Sequence, residues 1–190
     1  MFDIERMIAD CVAAVAAEPS HKGVHGVLAR ILSDPACVLR GLGAPARAGI
    51  TPLYHSDDLT ILNLVWGPGM SVMPHDHRTW AVIGVYTGRE DNIFWRRIPG
   101  SARNGKDGRE LEAAGAQSLG AGDVTALGRD IVHSVLNPIG KLTGAIHIYQ
   151  GDFFAIERSE WDAETLREAP YDKAKVARLF EASNRDLVSS

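Results

Sequence analysis

Pro74-His75-Asp76-His77, answered much later in the chain by Asp130-Ile131-Val132-His133-Ser134-Val135-Leu136-Asn137, decides how this sequence is read. Residues at i and i+2 of an extended segment project to the same face. The His75 and His77 rings therefore point one way and Asp76 points the other. Neutral imidazole is the commonest side-chain metal ligand. A single histidine is usually a packed or solvated side chain. A pair at this spacing, with His133 on a second strand-like segment, instead makes a three-nitrogen face. Such a face leaves coordination positions open for substrate and oxygen.

Working outward, the texture on both sides of the pair is that of short strands. Leu59–Trp66, Ser71–His75, Trp80–Tyr86, Asn92–Ile98, Gln117–Leu119, Val124–Leu127, Val132–Leu136 and Leu142–Tyr149 are expected strands, and Gly67-Pro68-Gly69 is a turn. Asn104-Gly105 and Asp107-Gly108 mark a hairpin tip. Many short strands with close turn signals predict a sandwich or small barrel. Before residue 45 the period is helical. Ile4, Met7, Ile8, Cys11, Val12 and Val15 form one stripe, closed by Pro19. Val24, Val27, Leu28, Ile31 and Leu32 form a second, and Ala36–Leu42 a short third. After the barrel, Ser159 is read as the cap of a helix running to Glu168. Pro170 is read as the start of another, with Val176, Leu179 and Phe180 facing inward. The expected organisation is one domain over residues 1–190: a helical extension over 1–45, a barrel over 50–157 and helices over 159–190.

Composition narrows the function classes. The chain has 190 residues and a formal charge of −4. Its charges are interspersed, so no basic stripe predicts a nucleic-acid partner. No apolar run reaches membrane-spanning length, and Met1-Phe2-Asp3-Ile4-Glu5-Arg6 is not a signal-peptide start. Cys11 and Cys37 fall in helical sequence and form no spaced ligand pair, which suits a reducing, cytoplasmic setting. Nothing in the composition argues against a homo-oligomer.

Gly69, His75-Asp76-His77 and Gly88, followed by Gly122, Gly128, His133 and Asn137, resemble the two sequence motifs of the cupins. Cupins often carry a carboxylate ligand shortly after the paired histidines, and here Ala81 and Val82 stand in that region. The three-histidine subset includes thiol dioxygenases. Trp66-Gly67-Pro68-Gly69, His75-Asp76-His77, Trp80, the Gly84–Glu90 segment and His147-Ile148-Tyr149 are similar to the cysteine dioxygenase family. The nearest branch is the bacterial enzymes acting on 3-mercaptopropionate or cysteine, and the likeness spans about residues 50 to 160.

That resemblance implies a mainly β cupin fold, a double-stranded β-helix flanked by N- and C-terminal α-helices. It implies Fe(II) held by His75, His77 and His133, although nitrogen ligands alone leave zinc, nickel and manganese open. The implied reaction takes a small thiol and O2 to a sulfinate. Tyr149 would point its hydroxyl at the site and His147 would hold that hydroxyl. Arg158 would fork the substrate carboxylate, which guanidinium suits. Trp80 would wall the pocket or fill the barrel, and Arg78 would reach the pocket or the surface. Three positions depart from the family. Ala145 replaces a serine that extends the His–Tyr relay. Gly49–Tyr54 lacks the alternative carboxylate anchors. Val82 replaces the cysteine that crosslinks to the tyrosine in animal enzymes, so Tyr149 is expected unmodified. Two rival readings use the same histidines: a dioxygenase cleaving a carbon–carbon bond of a diketone, and a metal- or ligand-sensing cupin.

Overall fold

Asp3, Ser20 and Asp34 each precede an apolar-periodic run, and each caps a helix in the computed structural model, which describes residues 2–100 and 109–188. The helices are α1 (Ile4–Ala17), α2 (His21–Ile31) and α3 (Pro35–Leu42). They pack on one face of a β-structure. Among the described residues no helix is long and apolar enough to cross a membrane.

Among the described residues eleven strands follow, in chain order β1 (Gly49–His55), β2 (Leu59–Trp66), β3 (Ser71–Asp76), β4 (Ala81–Thr87), β5 (Arg89–Arg97), β6 (Leu111–Gly120), β7 (Val124–Leu127), β8 (Val132–Leu136), β9 (Thr143–Gln150), β10 (Ser159–Trp161) and β11 (Glu168–Pro170). A last helix, α4, covers Lys173–Val188. The strands form two antiparallel sheets. One has the order β1-β2-β9-β4-β7, the other β11-β10-β3-β8-β5-β6. From β2 to β5 and again from β6 to β10 successive strands alternate between the sheets, and the result is a double-stranded β-helix.

The three central strands of the five-stranded sheet, β2, β9 and β4, are buried on both faces, which is why they read as nearly continuous apolar runs. Leu62, Leu64, Trp66, Ile83, Ala145 and Tyr149 line the barrel interior. Ile61, Val82, Ile146 and Ile148 face outward against Leu28 and Leu32 of the helical layer. Leu28 and Leu32 are fully buried, each worth roughly 1.5–3 kcal/mol against exposure. Gly84 allows that contact, because a Cβ there would stand 2.3 Å from a Leu32 methyl.

Two expectations fail at the C-terminal end. Ser159 does not cap a helix: Ser159–Trp161 is β10, and Pro170 lies in β11 rather than opening α4. Backbone pairing explains both. Glu160 pairs with His75 of β3, and Ser159, Glu160 and Trp161 pair with Pro170, Ala169 and Glu168. Asp172 instead begins α4, accepting from the Lys175 N–H. The barrel thus extends past residue 157 to Pro170. Val176 and Phe180 are buried as expected, with Leu179 packed beside them. Strand β1 was not anticipated, because its side chains are mostly exposed and Pro52 interrupts it. The expected hairpin tip at Asn104–Gly108 lies outside the described residues.

Candidate metal centre

The histidines reach one face through a break in strand parity. Val72 pairs with Val135 and His75 with His133, so β3 carries one extra residue between them. Pro74 sits in that bulge, where its missing N–H is tolerated. The bulge moves the inward-facing set from Val72 to His75 and His77. Asp76 is turned outward and is held by Arg97 Nη2 at 2.8 Å and Arg78 Nε at 3.2 Å.

The three rings converge. His77 Nε2 lies 3.3 Å from His75 Nε2 and 3.1 Å from His133 Nε2, and all three candidate ligand atoms lie within 4.8 Å of one another. Tautomers follow from the other ring nitrogens. His75 Nδ1–H donates to the Met73 carbonyl at 3.0 Å, and His133 Nδ1–H donates to Asn92 Oδ1 at 2.6 Å. Both Nε2 lone pairs are therefore turned on His77. His77 Nε2 can meet those two lone pairs as an N–H donor or, in the other tautomer, add a third lone pair, and in that form the three nitrogens suit a divalent metal. Burial pulls His75 down to about 4, with the Met73 carbonyl opposing in part. Burial also holds His77 and His133 well below 6.5, and the neighbouring imidazoles add to it. All three are neutral at pH 7, as ligation requires.

The face opens into a cavity of about 40 Å³ whose walls include Val72, Val135, Tyr149, Phe153, Arg158 and Tyr171. One wall is a stack. The Tyr149 and Phe153 ring centroids are 3.6 Å apart, and the Arg158 guanidinium carbon lies 4.0 Å from the centroids of both Phe153 and Tyr171. Cation-on-ring contact of this kind holds a guanidinium without neutralising it. Among the described residues no carboxylate pairs with Arg158, and its buried Nε has no hydrogen-bond partner.

Tyr149 OH and His147 Nδ1 are 3.0 Å apart, so the expected pair is formed. Burial raises the Tyr149 hydroxyl well above its usual value, and the phenol is neutral. Ala145, in the place of the family's serine, is fully buried in the barrel interior and supplies no partner. The far nitrogen of His147 instead meets a residue not singled out in the sequence. Glu90 Oε2 lies 3.2 Å from His147 Nε2 and also accepts from Trp66 Nε1 at 2.7 Å. Asn92 Nδ2 donates to Glu90 Oε1 at 3.1 Å. Glu90 and Asn92 share one face of β5 by the period of two. The run Arg89-Glu90-Asp91 looks solvated, however, and gave no sign that its middle residue is buried.

Trp80 is not brought to the cavity. It packs in the cluster between the five-stranded sheet and the helices, with Val82 and Ile148. Arg78 also stays outside, bonded to Asp76 and Ser159, with a left-handed φ of 55° that turns the chain after the ligand pair. Cys11 and Cys37 are free thiols on α1 and α3.

No family model matches the chain. Solved structures similar to it include a cupin-family double-stranded β-helix protein from Methanocaldococcus jannaschii, 8% identical, covering 58% of this chain and 86% of that one at a TM-score of 0.46. An uncharacterised double-stranded β-helix protein from Klebsiella pneumoniae is 14% identical over 58% of this chain and 77% of its own, at a TM-score of 0.42. Oxalate decarboxylase from Bacillus subtilis is 16% identical over 53% of this chain, at a TM-score of 0.40, and the match spans only 22% of the decarboxylase. Likeness at this level carries neither a metal nor a reaction across to this chain.

Proposed function

We propose that this protein is a non-haem iron-dependent dioxygenase that oxidises a small thiol carboxylate, of the 3-mercaptopropionate or cysteine type, to its sulfinate. The observation that carries the reading is Arg158, an uncompensated guanidinium held by two aromatic rings in the same small cavity as three neutral histidines. A cation left without a carboxylate beside a metal face suits a substrate that brings its own. The cavity admits a ligand of only a few heavy atoms, so the carboxylate and the metal-binding atom must be close together in the substrate.

The overall change is RS⁻ + O2 → RSO2⁻. Two sulfur–oxygen bonds form and the oxygen–oxygen bond breaks. Sulfur gives up all the electrons that oxygen takes, so no further reductant is required. His75, His77 and His133 would hold Fe(II), which when bound supplies a Lewis acid for the thiolate and a centre for oxygen. Arg158 receives the carboxylate in two parallel hydrogen bonds and fixes the thiol end toward the histidines. Tyr149 presents a neutral phenol to the reacting atoms and can hold a proton there, with His147 fixing its rotor. Phe153, Val72 and Val135 keep bulk water from that space. A reducing cytoplasm, which keeps both the substrate and the free Cys11 and Cys37 as thiols, is the compartment proposed.

An oxygen electrode tests this with iron-loaded protein against 3-mercaptopropionate, cysteine, mercaptosuccinate, cysteamine and a β-diketone. Uptake with the acidic thiols, accompanied by the sulfinate, is the expected result. Uptake with the diketone alone would assign carbon–carbon cleavage instead. Silence with every compound would return the protein to a metal- or ligand-binding role.

A further inference from the structure

Glu90 is a completely buried carboxylate with, among the described residues, no lysine or arginine against it, an arrangement that is costly unless every lone pair is used. Its three partners fix its form. The Trp66 indole only donates, and so does the Asn92 amide nitrogen. A carboxylate that receives several N–H groups is stabilised as the anion. An ionised Glu90 only accepts, so the His147 nitrogen facing it must carry a proton.

The consequences run in two directions. As the Nε2–H tautomer, His147 keeps a lone pair on Nδ1, which accepts the Tyr149 O–H. On the other side, the Asn92 NH2 must face Glu90, so the Asn92 oxygen must face His133. That oxygen accepts the His133 Nδ1–H and leaves His133 Nε2 bare toward His75 and His77. One buried charge thus sets the proton arrangement both of the Tyr149 relay and of a candidate metal ligand.

We propose that Glu90 is the positioning residue of the site, fixing His147 as its Nε2–H tautomer and, through Asn92, fixing His133 as its Nδ1–H tautomer. Its effect on turnover rests on the reading of Tyr149 as a group that meets substrate. Its effect on the imidazoles does not.

Glu90→Gln is the discriminating change because an amide cannot satisfy all three donors. If its oxygen stays with Trp66 and His147, its NH2 meets the Asn92 NH2, and Asn92 must turn and disturb His133. If its oxygen stays with Asn92, its NH2 faces His147 Nε2 and drives the His147 proton to Nδ1. The measurement is two-bond ¹H–¹⁵N correlation on histidine-labelled, zinc-loaded protein at pH 8. The seven histidines are few enough to assign by single substitutions such as His147→Gln. Native protein should show His147 protonated on Nε2 and His133 on Nδ1. Glu90→Gln should reverse the His147 pattern or alter that of His133, and in the iron form lower kcat by about 10- to 100-fold. Should Glu90→Gln fail to fold, the native pattern still decides, together with Asn92→Ala, which should disturb His133 and leave His147 as it was. His147 protonated on Nδ1 alone in native protein, or both imidazoles unmoved in folded Glu90→Gln, would overturn the proposal. Because zinc protein turns over no thiol, a negative oxygen-uptake screen would leave this result standing.

Discussion

Asp76 Oδ1 accepts the Ser159 backbone N–H at 2.8 Å, tying the strand that bears two of the histidines to the segment that begins one residue after Arg158. The same carboxylate holds Arg97 and Arg78 through Oδ2. Strand alternation makes Asp76 point away from the histidines, and the contact shows what the outward position is for. With Glu160 in register with His75, the Arg158 backbone is fixed relative to the ligand strand.

Asp76→Ala should therefore damage substrate binding more than metal binding. It leaves the Ser159 N–H buried without a partner and releases two half-exposed arginines. An expected cost of about 1–3 kcal/mol follows from the unsatisfied Ser159 donor, with little added by the two half-exposed arginine contacts. Denaturant melting should read that loss. KM for an acidic thiol should rise while bound metal, measured by elemental analysis, stays near stoichiometric. Metal loss in step with KM would show that Asp76 serves the ligand strand alone.

Acid should remove the metal and weaken the fold together. His75 titrates at about 4 when folded against an ordinary value of 6.5, and His77 and His133 are also held low. Between those values the unfolded chain binds more protons than the folded one, so stability rises with pH across that window. The contribution is complete above about pH 6.5 and fades as pH falls toward 4. For His75 alone it is on the order of 3 kcal/mol. Metal-free protein melted from pH 4 to pH 8 should gain stability up to about pH 6.5 and then level off. His77→Ala should retain little iron, since two imidazoles hold a labile ferrous ion poorly. A melting midpoint flat from pH 4 to pH 7 would contradict the burial of neutral imidazoles.

The histidine face was legible because strand parity is a strong constraint: His75, His77, His147 and Tyr149 can be placed by period two alone. So were the three N-terminal helices, whose stripes end at Pro19, Pro35 and Gly43. The C-terminal segment was not legible. Ser159 followed by Asp162 imitates a capping box, and only the distant backbone of β3 makes Ser159–Trp161 a strand. The phenylalanine and tyrosine that sandwich Arg158 were missed for a similar reason. Phe153 and Tyr171 lie on either side of it in loops, where no periodicity announces a shared wall. Trp80, read from the resemblance as either a pocket wall or a barrel filler, stands just before β4 and packs in the cluster between the sheet and the helices.

Tyr149→Phe removes a hydroxyl and keeps the ring that stacks on Phe153 at 3.6 Å, so the wall of the cavity should survive. His147 then loses one partner and keeps Glu90. Iron content should be unchanged, and kcat should fall by about 10- to 1000-fold if the hydroxyl stabilises charge or moves a proton. Turnover at the native rate would reduce Tyr149 to packing.

Arg158 is the sharpest test, because its two roles predict different substrate patterns. If its guanidinium receives the substrate carboxylate, Arg158→Ala removes a pair of charge-assisted hydrogen bonds worth about 1.5–3 kcal/mol each. Such bonds are not additive, so a combined loss of about 2–4 kcal/mol is expected, or roughly 30- to 1000-fold in apparent affinity at 1.4 kcal/mol per decade. That loss should appear with 3-mercaptopropionate and be small with cysteamine, which has no carboxylate and gains from removal of a nearby positive charge. Arg158→Lys should recover part of the loss, since an ammonium keeps the charge but lacks the planar fork and the stack between Phe153 and Tyr171. If the guanidinium served mainly as a spacer between two rings, both thiols would suffer alike and the melting midpoint would fall with them. Steady-state kinetics on the two thiols, read beside thermal melts of the same variants, separates the alternatives.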